Sequence, residues 1–249
     1  METADRLIRG LDRLLNLGLI LVLIVILFYA GYALWDSYSV LNKAGVSNEV
    51  MHYKPDVSNP SLAELQAINA EVCAWLTVDD TNIDYPVLRA DDNTKYLNQD
   101  IYGDYSLGGS IFLDYRCSKD FSDRYSLIYG HHMAGGKMFG DIEQFADKTY
   151  FDEHPTGRLY LPGRTYQLEM IALLEVDAYT SVLFNLPLEE CGWDGIAAHI
   201  QKDATYRRGA ELTNQDHILA LSTCAEETTN GRTILIARMI ETELAGGEP

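Results

Sequence analysis

Cysteine is scarce in this chain, and basic side chains are outnumbered about two to one. The four cysteines, Cys73, Cys117, Cys191 and Cys224, include no C-x-x-C pair. That argues against a zinc site, and the spacing builds no disulfide framework. Three of them, Cys73 in a helical pattern, Cys117 near a strand end and Cys191 in a polar stretch, read as inert small hydrophobes. Nineteen Lys and Arg face 37 Asp and Glu, for a formal net charge of −18. A domain so acidic repels phosphate backbones, which excludes nucleic acid as a partner. The acidic runs lack the D-x-D-x-D-G spacing of a calcium loop, and no motif calls for a cofactor. No internal repeat or low-complexity tract appears. What remains, at 249 residues and 47% apolar, is enough for one good-sized packed domain with appendages.

Charge is missing altogether from Leu14 to Trp35, "LLNLGLILVLIVILFYAGYALW". At 1.5 Å per residue that stretch crosses about 30 Å of hydrocarbon. Tyr29, Tyr32 and Trp35 gather at its far end, where interfacial aromatics sit, and Arg6, Arg9 and Arg13 precede it. The positive-inside rule then puts residues 1–13 in the cytoplasm, 14–35 in the membrane as a single-pass anchor, and the rest outside. The apolar run is too long for an ordinary signal peptide, and no A-x-A site follows it.

Residues 36–60 read as a juxtamembrane helix or stalk ending in the breaker-rich "KPDVSNP", with the domain proper at 61–249. "SLAELQAINAEVCAWL" opens with Ser61 and Glu64 in capping-box spacing and predicts a helix. From "NIDYPVL" onward, short Tyr-, Ile- and Leu-rich runs predict strands, the best being "SIFLDY", "SLIYG", "GRLYLPG", "TYQLEMIALLEV", "HILALSTC" and "RTILIAR". "MFGDIEQFADKTYFDEH" and "PLEECGWDGIAAHIQKDA" have helical spacing. The expected class is mostly β with helices (α+β), its strands mainly antiparallel.

"HILALSTC" does not alternate cleanly, so both its faces should be covered. Cys224 ends this strand. Across "AEETTNG", with its Asn-Gly turn signal, Arg232 opens the next. If the two pair antiparallel, a guanidinium and a thiol meet at one rim of a sheet. A fixed cation favours the thiolate, which is the nucleophile, and can stabilise an acyl oxyanion. Arg238 lies on the same face but deeper, and reads as a paired strand arginine. A cysteine nucleophile also needs a proton carrier. Of six histidines, His52, His154, His199 and His217 fit structural or surface roles. His131 and His132 follow "SLIYG", whose glycine would let the backbone turn and present the next side chain at the rim.

The ordered set "IYGHHM", "LSTC" and an arginine opening the next strand resembles the sortases, membrane-anchored cysteine transpeptidases of Gram-positive bacteria. Two helices expected before the first strand, "YGHHM", and a long helix-bearing connection between "LLEV" and "HILAL" are similar to class B. The resemblance implies a sortase β-barrel of mainly antiparallel strands with N-terminal helices, preceded by a single transmembrane helix. It implies His131, Cys224 and Arg232 as the catalytic set, and Asn93, Leu97, Tyr129 and Ser222 as substrate contacts, with no metal and no cofactor. The implied reaction cleaves a C-terminal sorting signal (LPxTG/NPxTN-like) of exported proteins after Thr through a Cys acyl-enzyme. An amine of a peptidoglycan precursor or of another protein then takes the acyl group. A cell-wall cysteine peptidase, a pilus-assembly sortase and a membrane-tethered binding module are the alternatives.

Overall fold

The computed structural model describes residues 2–43, 48–55, 62–186, 192–224 and 230–242, without the side chains of 2–8, 41–43, 48 and 224. Cys191, Ser61 and the loop 225–229 lie outside the described residues. Two compact units divide the chain near residue 42. The first is helix α1 (Glu2–Lys43). Its segment Arg9–Val40 contains an 18-residue window with a mean hydropathy of 2.6 and is long and apolar enough to cross a membrane.

The second unit is built on nine described strands. In chain order they are β1 (Val72–Val78), β2 (Asp84–Leu88), β3 (Ile111–Leu113), β4 (Tyr125–His131), β5 (Thr156–Leu161), β6 (Arg164–Asp177), β7 (Tyr206–Arg207), β8 (His217–Cys224) and β9 (Gly231–Thr242). Their order β5-β1-β2-β3-β4-β8-β9-β6 is closed by a β5–β6 pairing, so eight strands form a barrel and β7 adds to β6 outside it. Closure leaves no long exposed edge. Two pairings, β2–β3 and β4–β8, are parallel; the rest are antiparallel. The long β6–β9 ladder, Thr165 to Asp177 against Thr242 to Gly231, is the spine. Leu76, Leu127, Leu168, Leu219 and Leu235, all fully buried, belong to the main core.

The N-terminal expectation needs correction. Of "SLAELQAINAEVCAWL" only α3 (Ala63–Ile68) is helical, and its N-cap position, Leu62, makes no side-chain cap bond. Asn69 ends it: its amide donates to the Ile101 carbonyl (2.9 Å) and the Tyr96 hydroxyl (3.0 Å), while its oxygen accepts from Glu71 N–H. This Asx-type turn redirects the chain into β1, so Cys73 lies in a strand. All seven residues of β1 are buried, and a strand covered on both faces carries no period-2 signal to set against the helical one. Trp75, Val72 and Leu65 form a second cluster with Tyr96 and Phe112. The remaining short helices are α2 (Asn48–Met51), α4 (Lys148–Glu153) and α5 (Trp193–Asp203).

Beyond β3 the chain places Asp114, fully buried, at a polar hub. It accepts from Arg116 Nε (2.8 Å) and Nη2 (2.7 Å), from Asn93 (2.9 Å) and from the Tyr129 hydroxyl (3.0 Å). Arg116 in turn donates to the Leu186 carbonyl (3.0 Å), fastening the β6–α5 connection. Burial alone would raise the Asp114 pKa, yet the Arg116 bonds outweigh it and hold the carboxyl below its usual value. Asp114→Ala should cost about 3 kcal/mol in urea unfolding, the low end for breaking a buried pair, since a quarter of Arg116 remains in solvent. The charged carboxylate stabilises fully above its unfolded pKa, near 3.9, and that contribution fades as pH falls through the lower folded value. Acid titration of wild type against Asp114→Asn checks this: their stability difference should shrink below about pH 4.

Candidate active site

Three strands of the barrel carry the candidate residues to one rim. β4 runs parallel to β8 in a register from Tyr125 with Ile218 to His131 with Cys224. β8 pairs antiparallel with β9, Ser222 facing Ile234. The pairing ends there, two residues short of Cys224 on β8 and of Arg232 on β9. Beyond it the Thr223 hydroxyl bridges the two strands, donating to the Thr233 carbonyl (3.3 Å) and accepting from Thr233 N–H (3.2 Å). His131 and Cys224 therefore form one row across β4 and β8, and Arg232 lies at the adjoining start of β9. Paired residues share a face of the sheet, and neighbouring strands lie about 4.8 Å apart. The next row inward on that face is Tyr129 with Ser222.

Gly130 does not act as expected. The strand passes through it to His131, and its role is to be small: a Cβ there would strike Ile111 Cδ1 and the Phe139 ring (2.8 Å). His131 is partly exposed, and its Nε2 lies 2.8 Å from the Leu97 carbonyl oxygen. His132 bonds Glu143 through Nε2 (2.7 Å). The other histidines are accounted for structurally. His154 stacks on Tyr150, His199 pairs with Asp203 (2.8 Å), and His217 bonds the Asp123 carbonyl (3.1 Å). His52 packs edge-on against Tyr53.

The two arginines of β9 differ in their surroundings. Arg238 contacts Glu169 (3.2 Å), Asp216 (2.9 Å) and the Ala210 carbonyl (3.1 Å), the paired strand arginine expected of it. Arg232 donates to the adjacent Gly231 carbonyl (3.0 Å), and among the described residues no carboxylate pairs with it.

Of the expected substrate contacts, Tyr129 stands between Phe112 (5.4 Å) and Phe184 (6.5 Å, stacked) with its hydroxyl on Asp114. Ser222 is fully buried, its hydroxyl 3.3 Å from the Thr223 carbonyl. Asn93 uses its amide on Asp114 and its oxygen on Tyr115 N–H (3.0 Å). Leu97 packs partly buried against the second cluster. Leu97 adjoins the row through its carbonyl and Tyr129 and Ser222 lie one step inward, while Asn93 is linked to it only through Asp114 and Tyr129. Asp114 and Arg116, which link two of them, escaped the sequence reading; the one available signal was a charged residue directly after the apolar "IFL". Cys73 and Cys117 are buried free thiols whose pKa burial pushes up to about 12. Among the described residues no group of three or more His, Cys, Asp or Glu side chains is placed to hold a metal ion.

No protein-family model matches the chain. Sortase B of Listeria monocytogenes is 32% identical over 182 residues, 72% of this chain and 74% of the relative. The crystal structure of a Streptococcus pyogenes class B sortase involved in pilus biogenesis is 40% identical, covers 72% of this chain and 98% of that one, and superposes with a TM-score of 0.66. The Staphylococcus aureus sortase B–substrate complex, 24% identical over 74% of this chain and 86% of that one, shares the fold with a TM-score of 0.67. A histidine paired with a cysteine at the barrel rim, an arginine at the start of the next strand, and the likeness to these relatives lead to one conclusion: the chain belongs to the sortases, class B cysteine transpeptidases.

Proposed function

We propose that this sortase is anchored by residues 14–35 with residues 1–13 cytoplasmic, and that its domain acts outside the cell on the C-terminal sorting signals of exported proteins. Cys224 is the nucleophile, attacking the Thr carbonyl of an LPxTG/NPxTN-like signal. Arg232 stabilises the oxyanion or holds the substrate carbonyl. His131 gives its proton to the leaving amine, completing the Cys224 thioester, and takes one back from the incoming amine as the thiolate is expelled. Tyr129, Ser222, Leu97 and Asn93 form the wall that receives the signal. The observation supporting these roles is the direct pairing of His131 with Cys224 across β4 and β8, at the rim where β9 begins with Arg232. That a related sortase B is known with substrate bound agrees with a peptide substrate.

The acceptor is an amine of a peptidoglycan precursor, which anchors the product to the cell wall. A second reading, polymerisation of pilus subunits, has a specific observation behind it, because the 40% identical relative serves pilus biogenesis. Offering a peptidoglycan-stem peptide and a lysine-bearing pilin peptide as competing acceptors separates the two by product mass. Release of the free acid alone, with either acceptor present, would instead mark a peptidase.

In a quenched sorting-signal assay, Cys224→Ala should fall to the uncatalysed rate; full cleavage by that variant would sink the proposal. Arg232→Lys keeps the charge but loses the planar fork, and should lower kcat about 100-fold. Thiol labelling tests the non-enzymatic reading. Cys224 should react at neutral pH, while Cys73 and Cys117, buried with pKa values near 12, should label only after unfolding. Equal reactivity of all three in the folded chain would favour a binding module.

A further inference from the structure

The partner of the His131 ring is a main-chain oxygen, and that decides its tautomer. A carbonyl only accepts hydrogen bonds, so at 2.8 Å from the Leu97 oxygen Nε2 must carry the hydrogen. Nδ1 is then the nitrogen left to accept and return a proton. Cysteine–histidine pairs usually have a third group that orients the imidazole. Among the described residues no side chain bonds the His131 ring.

The Leu97 carbonyl is itself closely held. Lys95–Leu97 forms a single 3-10 turn, started by Asp92, whose carboxylate accepts from Thr94 N–H (2.7 Å) and Lys95 N–H (2.9 Å). Tyr96 is buried, its hydroxyl bonded to Glu71 and to Asn69 (3.0 Å), and its carbonyl accepts from Ser110 N–H (2.9 Å). Gly109 closes the other side. Its φ is +57°, and a Cβ there would strike the Tyr96 oxygen and lie 2.5 Å from the Leu97 oxygen. Glycine is therefore required twice at this position, for its backbone angle and for the approach of two carbonyls.

We propose that the Leu97 main-chain carbonyl is the orienting third member of the catalytic set, fixing His131 as the Nε2–H tautomer, and that Gly109 is the positioning residue that keeps the carbonyl in place. The proposal rests on His131 being the proton carrier of the preceding section.

The test uses the full chain in detergent. Replacing Asn98 by its α-hydroxy-acid analogue turns the Leu97–Asn98 amide into an ester, which weakens the Leu97 oxygen as an acceptor and leaves every side chain unchanged. Gly109→Ala displaces the same oxygen. Both should lower kcat for the signal peptide, the ester by about tenfold, the worth of one hydrogen bond, with KM within about twofold. Nitrogen-15 spectra of the His131 ring should show the Nε2–H tautomer in the wild type and a mixture in the ester variant. A neutral wild-type ring protonated on Nδ1, or an ester enzyme with undiminished kcat, would overturn the proposal even if Gly109→Ala fails to fold. The spectrum reads the tautomer whether or not peptide is cleaved. A wild-type chain that leaves the signal intact would thus count against the substrate reading alone.

Discussion

Everything at the rim depends on the parallel pairing of β4 with β8. Parallel neighbours cannot be joined by a tight turn, and here the connection contains β5, β6, α4 and α5. The pairing is thus a long-range contact made by burial: Leu127, Ile128, Leu219, Ala220 and Leu221 are all fully buried. Its register decides the chemistry. A slip of one residue would move Cys224 to the opposite face from His131 and take Ser222 away from Tyr129. Gly130 resists such a slip, because the space beside it is filled by Ile111 and Phe139 and any residue with a Cβ would collide there. Packing in the core sets the geometry of the row before any catalytic side chain is considered.

Charge is then sorted around that row. Arg238, inward on β9, is neutralised by Glu169 and Asp216, whereas Arg232 at the rim donates to a neighbouring carbonyl and pairs with no carboxylate among the described residues. Asp114, a buried carboxylate bonded to Tyr129, is committed to Arg116 and held ionised by it. It therefore works as a brace, joining Asn93, Tyr129 and, through Arg116, the β6–α5 connection. Cys73 and Cys117 lie where burial keeps a thiol protonated. Cys224 differs from them in position, at a strand end beside a cation.

The parts of this arrangement visible in the sequence are the local ones. "HILALSTC" reads as a strand with Cys224 at its end because its apolar run is continuous, and the Asn-Gly loop brings Arg232 back beside it. Both partners fall within a few residues of each other. His131 joins only through a non-local parallel register, which no residue pattern near it encodes, so the family resemblance had to supply it. Gly130 shows the same limit: a glycine can mark a turn or a lack of space, and only the neighbours from β3 and the following loop distinguish them. The helical reading of "EVCAWL" failed because Asn69 spends its side chain on Ile101 and Tyr96, contacts invisible from the window itself. Asp114 was hidden for a related reason, since its partners are spread from Asn93 to Tyr129.

The Leu97 carbonyl is the extreme case, because a main-chain atom leaves no trace in residue identity. Its chemistry suits a two-step transfer. A carboxylate beside the ring would favour the imidazolium and bias the histidine towards one half of the cycle. A neutral carbonyl accepts Nε2–H from both the neutral and the charged ring, so it holds the imidazole in one orientation without strongly preferring either form. In the proposed reaction, the proton given to the leaving amine and the proton taken from the incoming amine would then pass through the same nitrogen, Nδ1, with no ring flip between them. Acyl transfer needs that symmetry, since its second half is the first half run backwards with a different amine.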